Sequence, residues 1–262
     1  MARTRIIAVA NQKGGTGKST IAVNLAVAAG ETGHRVLVVD VDPQADATTM
    51  LGVEPDAQPR TLYDVFVGDC ELPDAVRAHV APGVDLGVGT DRMADVEVTL
   101  AGELMRERFL HGALEGHTGG YDLVLVDCPP NLGIVTLNGL RVSDGYIIPT
   151  IPDVLSTYGI PQIQERVAAF ADDLGQTIAE IGIVVTKYRA ASTVHRNTIV
   201  RMQDDDALPV VLDTWVPEAN QIAASAEYAD YSRLRQKYGY AGQFDIFREL
   251  TKEFIAQVEA NA

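Results

Sequence analysis

The sequence predicts a doubly wound α/β domain, a mostly parallel sheet flanked by helices, on three observations. Short apolar runs recur along the chain without polar alternation, so both faces of each strand are expected to be covered. Helical patterns separate those runs almost from end to end, which is the order a parallel sheet requires. The length of 262 residues with 47% apolar residues suits a single core, so residues 1–262 are expected to form one domain.

The strands are expected at Ile6–Ala10, Val36–Val39, Leu123–Val126, Tyr146–Ile148, Ile181–Val185 and Val210–Leu212, with a weaker candidate at Val84–Val88. Helices are expected over residues 18–30, where an Ala-rich stretch ends at Gly30, and over 92–113, 153–174 and 192–203. A last helix places Phe244, Phe247, Leu250, Phe254 and Val258 at helical spacing. No internal repeat, low-complexity tract or Pro/Ser-rich linker interrupts the pattern.

Composition excludes several classes of function. Acidic residues outnumber basic ones by 36 to 21, a net charge of −15, which argues against a surface coated in phosphate-binding charge while leaving room for a local basic patch. The two cysteines, Cys70 and Cys128, lie far apart and form no metal-binding pair. Such sparse usage fits a reducing compartment. The segment before the first strand is too short for a signal peptide, and no apolar run reaches the roughly 18–20 residues of a membrane helix. A cytoplasmic protein is expected.

In a doubly wound sheet, ligands bind beyond the C-terminal ends of the strands. Beyond the first strand lies Asn11-Gln12-Lys13-Gly14-Gly15-Thr16-Gly17-Lys18-Ser19-Thr20, opening directly into a helix. Its glycines let backbone N–H groups converge on an anion, and the helix N-terminus adds partial positive charge. Lys18 can reach the β- and γ-phosphates, and the Ser19 hydroxyl can ligate Mg²⁺. Residues 14–20 are therefore expected to bind ATP or GTP. A dinucleotide-binding turn is poorly supported, because the GxGxxG spacing is missing.

Two further strands end in carboxylates. After Val39 comes Asp40-Val41-Asp42-Pro43-Gln44, whose period of two puts Asp40 and Asp42 on the same side of the chain. After Val126 comes Asp127-Cys128-Pro129-Pro130, and Asp127 is expected to bind Mg²⁺ directly or through water. Acidic residues at strand ends also simply cap turns, but beside a phosphate loop the functional reading is the stronger. Cys128 reads as a small buried apolar side chain.

The loop departs from the general GxxxxGK[ST] pattern by carrying Gln12 at its first position and a second lysine, Lys13, next to it. This KGGTGKST form resembles the deviant Walker A loop of the ParA/MinD ATPase family, and VDVDPQADAT resembles the switch I of its ParA-type members. The resemblance implies an Mg²⁺-dependent ATPase that closes into a homodimer on ATP, with Lys13 reaching across to the partner's phosphates. It implies that Asp42 positions or activates the hydrolytic water, that Asp40 supports the Mg²⁺ shell, and that the segment after Asp127 is switch II. Thr186, Lys187 and Pro217 occupy positions where relatives hold the adenine.

Within the family, the lone thiols argue against a cluster-bearing member and against an arsenite-pump subunit. The tail from Phe244 onwards carries a net charge of −2, which anionic lipid would repel, so no membrane partner is expected. Only about ten residues precede the loop, so no helix-turn-helix segment is expected there. Residues 187–203 carry Lys187, Arg189, Arg196 and Arg201 without any acid, and residues 231–238 carry Arg233, Arg235 and Lys237. The two islands hold +7, leaving −22 on the rest of the chain. A solvated basic face is one reading. The other, which the resemblance implies, is non-specific binding of duplex DNA by the ATP-bound dimer, with nucleoid association and partner-stimulated hydrolysis by a ParB-type adaptor. An ATP-switched regulator without DNA affinity and a MinD-like membrane-associated switch are the competing expectations.

Overall fold

The computed structural model describes residues 3–220, 222 and 242–261. Seven strands, β1 (Arg5–Val9), β2 (Val36–Asp40), β3 (Val76–Ala81), β4 (Val84–Gly87), β5 (Leu123–Asp127), β6 (Gly145–Thr150) and β7 (Ala179–Val185), form one sheet in the order β3-β4-β2-β5-β1-β6-β7. Every neighbouring pair is parallel except β3–β4, which closes one edge as an antiparallel hairpin. The helices are α1 (Lys18–Glu31), α2 (Asp46–Met50), α3 (Leu62–Phe66), α4 (Val96–Thr99), α5 (Phe109–Leu114), α6 (Ile134–Val142), α7 (Val154–Thr157), α8 (Gly159–Leu174), α9 (Thr193–Gln203) and α10 (Gln243–Ala260). The fold class expected from the sequence is the one observed.

Successive residues of each central strand feed two separate cores. Ile7, Val9, Val36, Val38, Leu123 and Leu125 pack under α1 and α10, while Ala8, Leu37, Val39, Val124 and Val126 pack under α3, α5, α6 and α8. This is why the runs carry no polar alternation. Helix α1 is apolar nearly all round because it is enclosed between the sheet and α10. The aromatic stripe of α10 is buried at Phe247, Leu250 and Phe254, and Arg248 pairs with Glu31 at 2.7 Å, tying its outer face to the end of α1.

At its C-terminal end α1 passes so close to the β3–β4 turn that Gly30 is required. A Cβ there would stand 2.1 Å from the Pro82 carbonyl oxygen and 3.1 Å from Val84 Cγ2. Gly30→Ala should gain about 1 kcal/mol of helix propensity and lose more through overpacking against backbone, typically about 1–3 kcal/mol. A lowered midpoint of urea unfolding is expected; an unchanged or raised midpoint would contradict the close approach.

Three expectations need correction. Residues 92–113 are not one helix: α4 stops at Thr99 before Gly102, Met105 takes a left-handed φ of 56°, and only α5 resumes a helical run. β-Branched Val96, Val98 and Thr99 and two glycines outweigh the apolar spacing. The pattern over 153–174 divides at Tyr158, because α8 restarts with Gly159 and Pro161 in its first turn. Val210–Leu212 runs beside β7 but makes only an isolated bridge, from Ile183 to Val211, since Pro209 lacks a donor. The strand β3 and the helix α6 were not expected from the sequence. The extension of β5 to Asp127 and of β2 to Asp40 carries the register that matters most. Asp40 lies level with Asp127, and Asp127 level with Val9, so two carboxylates flank the start of the glycine-rich loop.

Candidate functional site

The loop leaves β1 at Val9 and is pinned at both ends by side-chain hydrogen bonds. Asn11 donates its amide to the Pro149 carbonyl at 2.8 Å and accepts the Lys13 backbone N–H at 2.9 Å. Thr16 is buried; its hydroxyl donates to the Lys13 carbonyl at 3.3 Å, and its own carbonyl accepts the Thr186 hydroxyl at 2.7 Å. Gly15 and Gly17 adopt φ of 73° and 87°, conformations that disfavour any side chain. No atom lies within 4 Å of where a Cβ of Gly14 or Gly15 would stand, so the loop faces open space.

That space is a cavity of about 660 Å³. Gly14, Gly15, Gly17, Lys18, Ser19 and Thr20 line it from the loop and the first turn of α1. Asp42 and Asp46 enter from the segment after β2, and Thr186, Lys187 and Pro217 from beyond β7. A bridge between Tyr188 and Pro217, with Tyr188 N–H donating to the Val216 carbonyl at 3.0 Å, brings the last group together. Lys187 sits in a left-handed turn at φ 50° at the rim.

The two lysines of the loop part company. Lys18 is buried, 6% exposed, on the cavity side. Lys13 lies outside the cavity lining, with Nζ 3.3 Å from Asp153 Oδ2 and 42% of its side chain exposed.

The carboxylates are also differently employed. Asp40 is fully buried: Oδ2 accepts the Thr48 backbone N–H at 2.8 Å and hydroxyl at 2.7 Å, and Oδ1 accepts the Asp42 N–H at 3.3 Å. Burial, only partly offset by the Thr48 bonds, pushes its carboxyl up to about 7. Asp42 is nearly buried and accepts the Gln44 N–H at 3.0 Å. Burial, then the charge of Asp42, raises the Asp46 carboxyl, while Lys18 draws it down. Asp127 is fully buried, and neither oxygen has a hydrogen-bond partner among the described residues. Burial, then the charge of Asp40, raises its carboxyl well above the usual range. The Ser19 hydroxyl and Lys18 lie near enough to offset part of this, the hydroxyl without reaching hydrogen-bond geometry.

An orphaned buried carboxylate beside a serine hydroxyl is a donor set of hard oxygens that fits Mg²⁺. Among the described residues no group of three or more His, Cys, Asp and Glu side chains could hold a metal alone, so the ion's shell would be completed by phosphate oxygens and water. Cys128 is buried, with its thiol pushed up by burial, which suits an inert apolar side chain.

Three residues the sequence reading missed complete the arrangement. Asn11 and Thr48 act only through long-range hydrogen bonds that no local pattern signals. Asp153 follows the end of β6, where a ligand-side acid could have been sought. Thr48 also accepts the Gly89 N–H at 2.9 Å, so Thr48→Val removes two bonds and strips one from the buried Asp40 carboxylate. A loss of about 1–3 kcal/mol is expected, read by urea unfolding, with Thr48→Ser retaining most of the stability.

The first basic island surrounds α9. Arg189 is already paired with Glu218, with Nη2 to Oε1 at 3.0 Å, and Arg196 donates to the Ala190 carbonyl and, at 3.3 Å, to the Thr193 hydroxyl. Arg196 and Arg201 remain exposed on α9, away from the cavity. Arg233, Arg235 and Lys237 lie outside the described residues. No helix among the described residues is long and apolar enough to cross a membrane.

Comparison with known proteins agrees with this geometry. A protein-family model described as an AAA domain matches residues 4–180. The chain is 36% identical over 182 residues to the sporulation initiation inhibitor protein Soj of Bacillus subtilis, covering 70% of this chain and 72% of that one. It is 35% identical over 186 residues to the chromosome partitioning protein ParA of Caulobacter vibrioides, covering 70% of each. Among solved structures it is similar to cobyrinic acid a,c-diamide synthase of Mycobacterium smegmatis with bound ATP analogue and magnesium, at TM-score 0.83 and 30% identity over 99% of this chain and 98% of that one. With such a match from residue 4 to 180 and two relatives above one-third identity, the chain belongs to the ParA-type P-loop ATPases of the ParA/MinD family.

Proposed function

We propose that this ATPase is a partition or positioning switch that dimerises on ATP, binds duplex DNA without sequence preference in that state, and is released by partner-stimulated hydrolysis. ATP and Mg²⁺ are its cofactors. Lys18 would hold the β- and γ-phosphates, and Thr186, Lys187 and Pro217 the base. Ser19 and Asp127 would hold Mg²⁺, which supplies charge neutralisation at the phosphate oxygens. Asp40, its oxygens taken by Thr48 and the Asp42 N–H, supports that shell from behind through its charge. Asp42 orients the attacking water.

The observation that carries this reading is the divergence of the two lysines. Lys18 serves the chain's own cavity, whereas Lys13 stands outside it, half-exposed, where a second protomer's phosphates could receive it. A half-exposed ion pair such as Lys13–Asp153 is worth at most about 1 kcal/mol, so little opposes its exchange for a partner's phosphate. Support for DNA binding comes from Lys187, Arg196 and Arg201, exposed in a stretch without acid; Arg189 contributes less because Glu218 already neutralises it.

The test is duplex binding with Mg²⁺ and ATP, ADP or no nucleotide. Binding with ATP alone is expected, with a salt slope that falls by about 1 per lost phosphate contact in Arg196→Glu and Arg201→Glu. No binding at low salt in any state, or an unchanged slope, would remove DNA from the reading.

A further inference from the structure

A second cavity, of about 590 Å³, lies away from the nucleotide loop. Its apolar floor is made by Leu132, Ile134 and Leu137, from the segment that leads out of Pro129–Pro130 into α6, and by Phe170 and Leu174 of α8. The segment from Glu97 to Glu107 bounds it, and the same segment leaves Val98, Leu104 and Met105 exposed at 79%, 91% and 62%. Exposed apolar side chains beside an apolar cavity mark an interaction surface more often than chance exposure does.

The rim is acidic. Asp173 lines the cavity in the last turn of α8, next to Asp172, and that turn has no basic residue. Two carboxylates at the negative end of a helix dipole are unfavourable alone and favour a cation. Glu97 and Glu107 add to them; Arg106 is the lining cation, and Arg141 approaches Glu107 at 3.9 Å. The residue α10 presents to solvent near its own end does not reach this cavity's lining.

We propose that this cavity docks a short basic segment of a partner protein, an arginine or lysine engaging Glu97 and Asp173 while a neighbouring apolar side chain enters the floor of Leu132, Leu137 and Phe170. Its regulatory meaning rests on the partner-controlled hydrolysis proposed above; the docking itself does not. Glu97 Oε1 lies where a Cβ of Gly133 would stand, 1.8 Å from that position, so the carboxylate is pressed against the backbone of the switch exit. Asn131 holds that exit through the Gly133 N–H at 3.1 Å and the Thr136 hydroxyl at 2.6 Å. A cation that draws Glu97 away from Gly133 therefore acts on the segment that begins just after Asp127.

The probe is a short labelled Ala/Gln helix bearing one Arg and one Leu on the same face, followed by fluorescence anisotropy without nucleotide. Saturable binding is expected, weakened at least about tenfold when the probe's Arg becomes Gln or when the protein carries Glu97→Gln with Asp173→Asn. Both substituted side chains are exposed, so the variant should fold, and Asp204→Asn with Asp206→Asn controls for net charge. No saturable binding, or equal weakening in the control, overturns the proposal. Self-association of the nucleotide-free chain that Leu104→Ser with Met105→Ser abolishes would assign the surface to a second copy, and also overturns it. Because this measurement uses neither ATP nor DNA, failure of ATP-dependent DNA binding would leave its result standing.

Discussion

Lys13→Gln should reduce ATP turnover by about 10³-fold or more, the range seen when a cationic finger is withdrawn from a phosphoryl-transfer site. Nucleotide affinity of the monomer should change little, because Lys13 lies outside the cavity and Lys18 remains buried against it. The contrast between the two lysines is the informative part. Lys18→Gln should weaken binding and turnover together, since its ammonium meets the phosphates in the ground state as well as the transition state. The single tryptophan, Trp215, offers the binding readout: it packs edge-on to Tyr188 at 5.1 Å and precedes the cavity-lining segment at Val216 and Pro217. If Lys13→Gln lost ATP binding as completely as Lys18→Gln, Lys13 would belong to its own chain's site.

Asp42→Ala should lower turnover by about 10²–10⁴-fold, the contribution of a positioned acid–base group, while ATP binding and ATP-dependent dimerisation persist. The geometry separates this residue from its neighbour. Asp42 lines the cavity and spends one oxygen on the Gln44 N–H, leaving the other available to water, whereas Asp40 has both oxygens engaged within the protein. Asp40→Ala should accordingly appear as lost stability as well as lost activity. Single-turnover kinetics with preloaded ATP would distinguish the two; an Asp42→Ala protein that hydrolyses at the wild-type rate would remove Asp42 from the chemistry.

The central strands were legible because their chemistry is uniform. β1, β2, β5, β6 and β7 are apolar on both faces, so each run announced burial between two helix layers without need of tertiary information. The loop was legible because glycine, lysine and serine are each required there for a separate physical reason. What the sequence concealed follows from competition between local and distant forces. β3 is half-exposed, with a left-handed His79 and a register shift before Ala81, so it lacks alternation; the Pro82–Gly83 turn was its one available signal. The stretch 92–113 has helical spacing, yet its glycines and β-branched residues cede it to short turns that fold over α6. Asn11, Thr48 and Asp153 are invisible to spacing because each acts across the fold: Asn11 and Asp153 join the loop to the end of β6, and Thr48 folds the segment after β2 back onto Asp40. The charge islands illustrate the same limit, since Arg189 reads as free cation in the sequence and is paired with Glu218 in the structure.

Mixing the two inactive variants tests whether the lysine acts across a dimer. In a mixed dimer the Lys13→Gln protomer keeps its own Asp42 and receives Lys13 from the Asp42→Ala protomer, so one complete site is restored. At equal concentrations half the dimers are mixed, each with one working site, and turnover should recover to roughly a quarter of the wild-type value. Recovery that rises with total protein concentration is expected. Turnover that stays at the level of the separate variants at every mixing ratio would contradict a lysine supplied in trans.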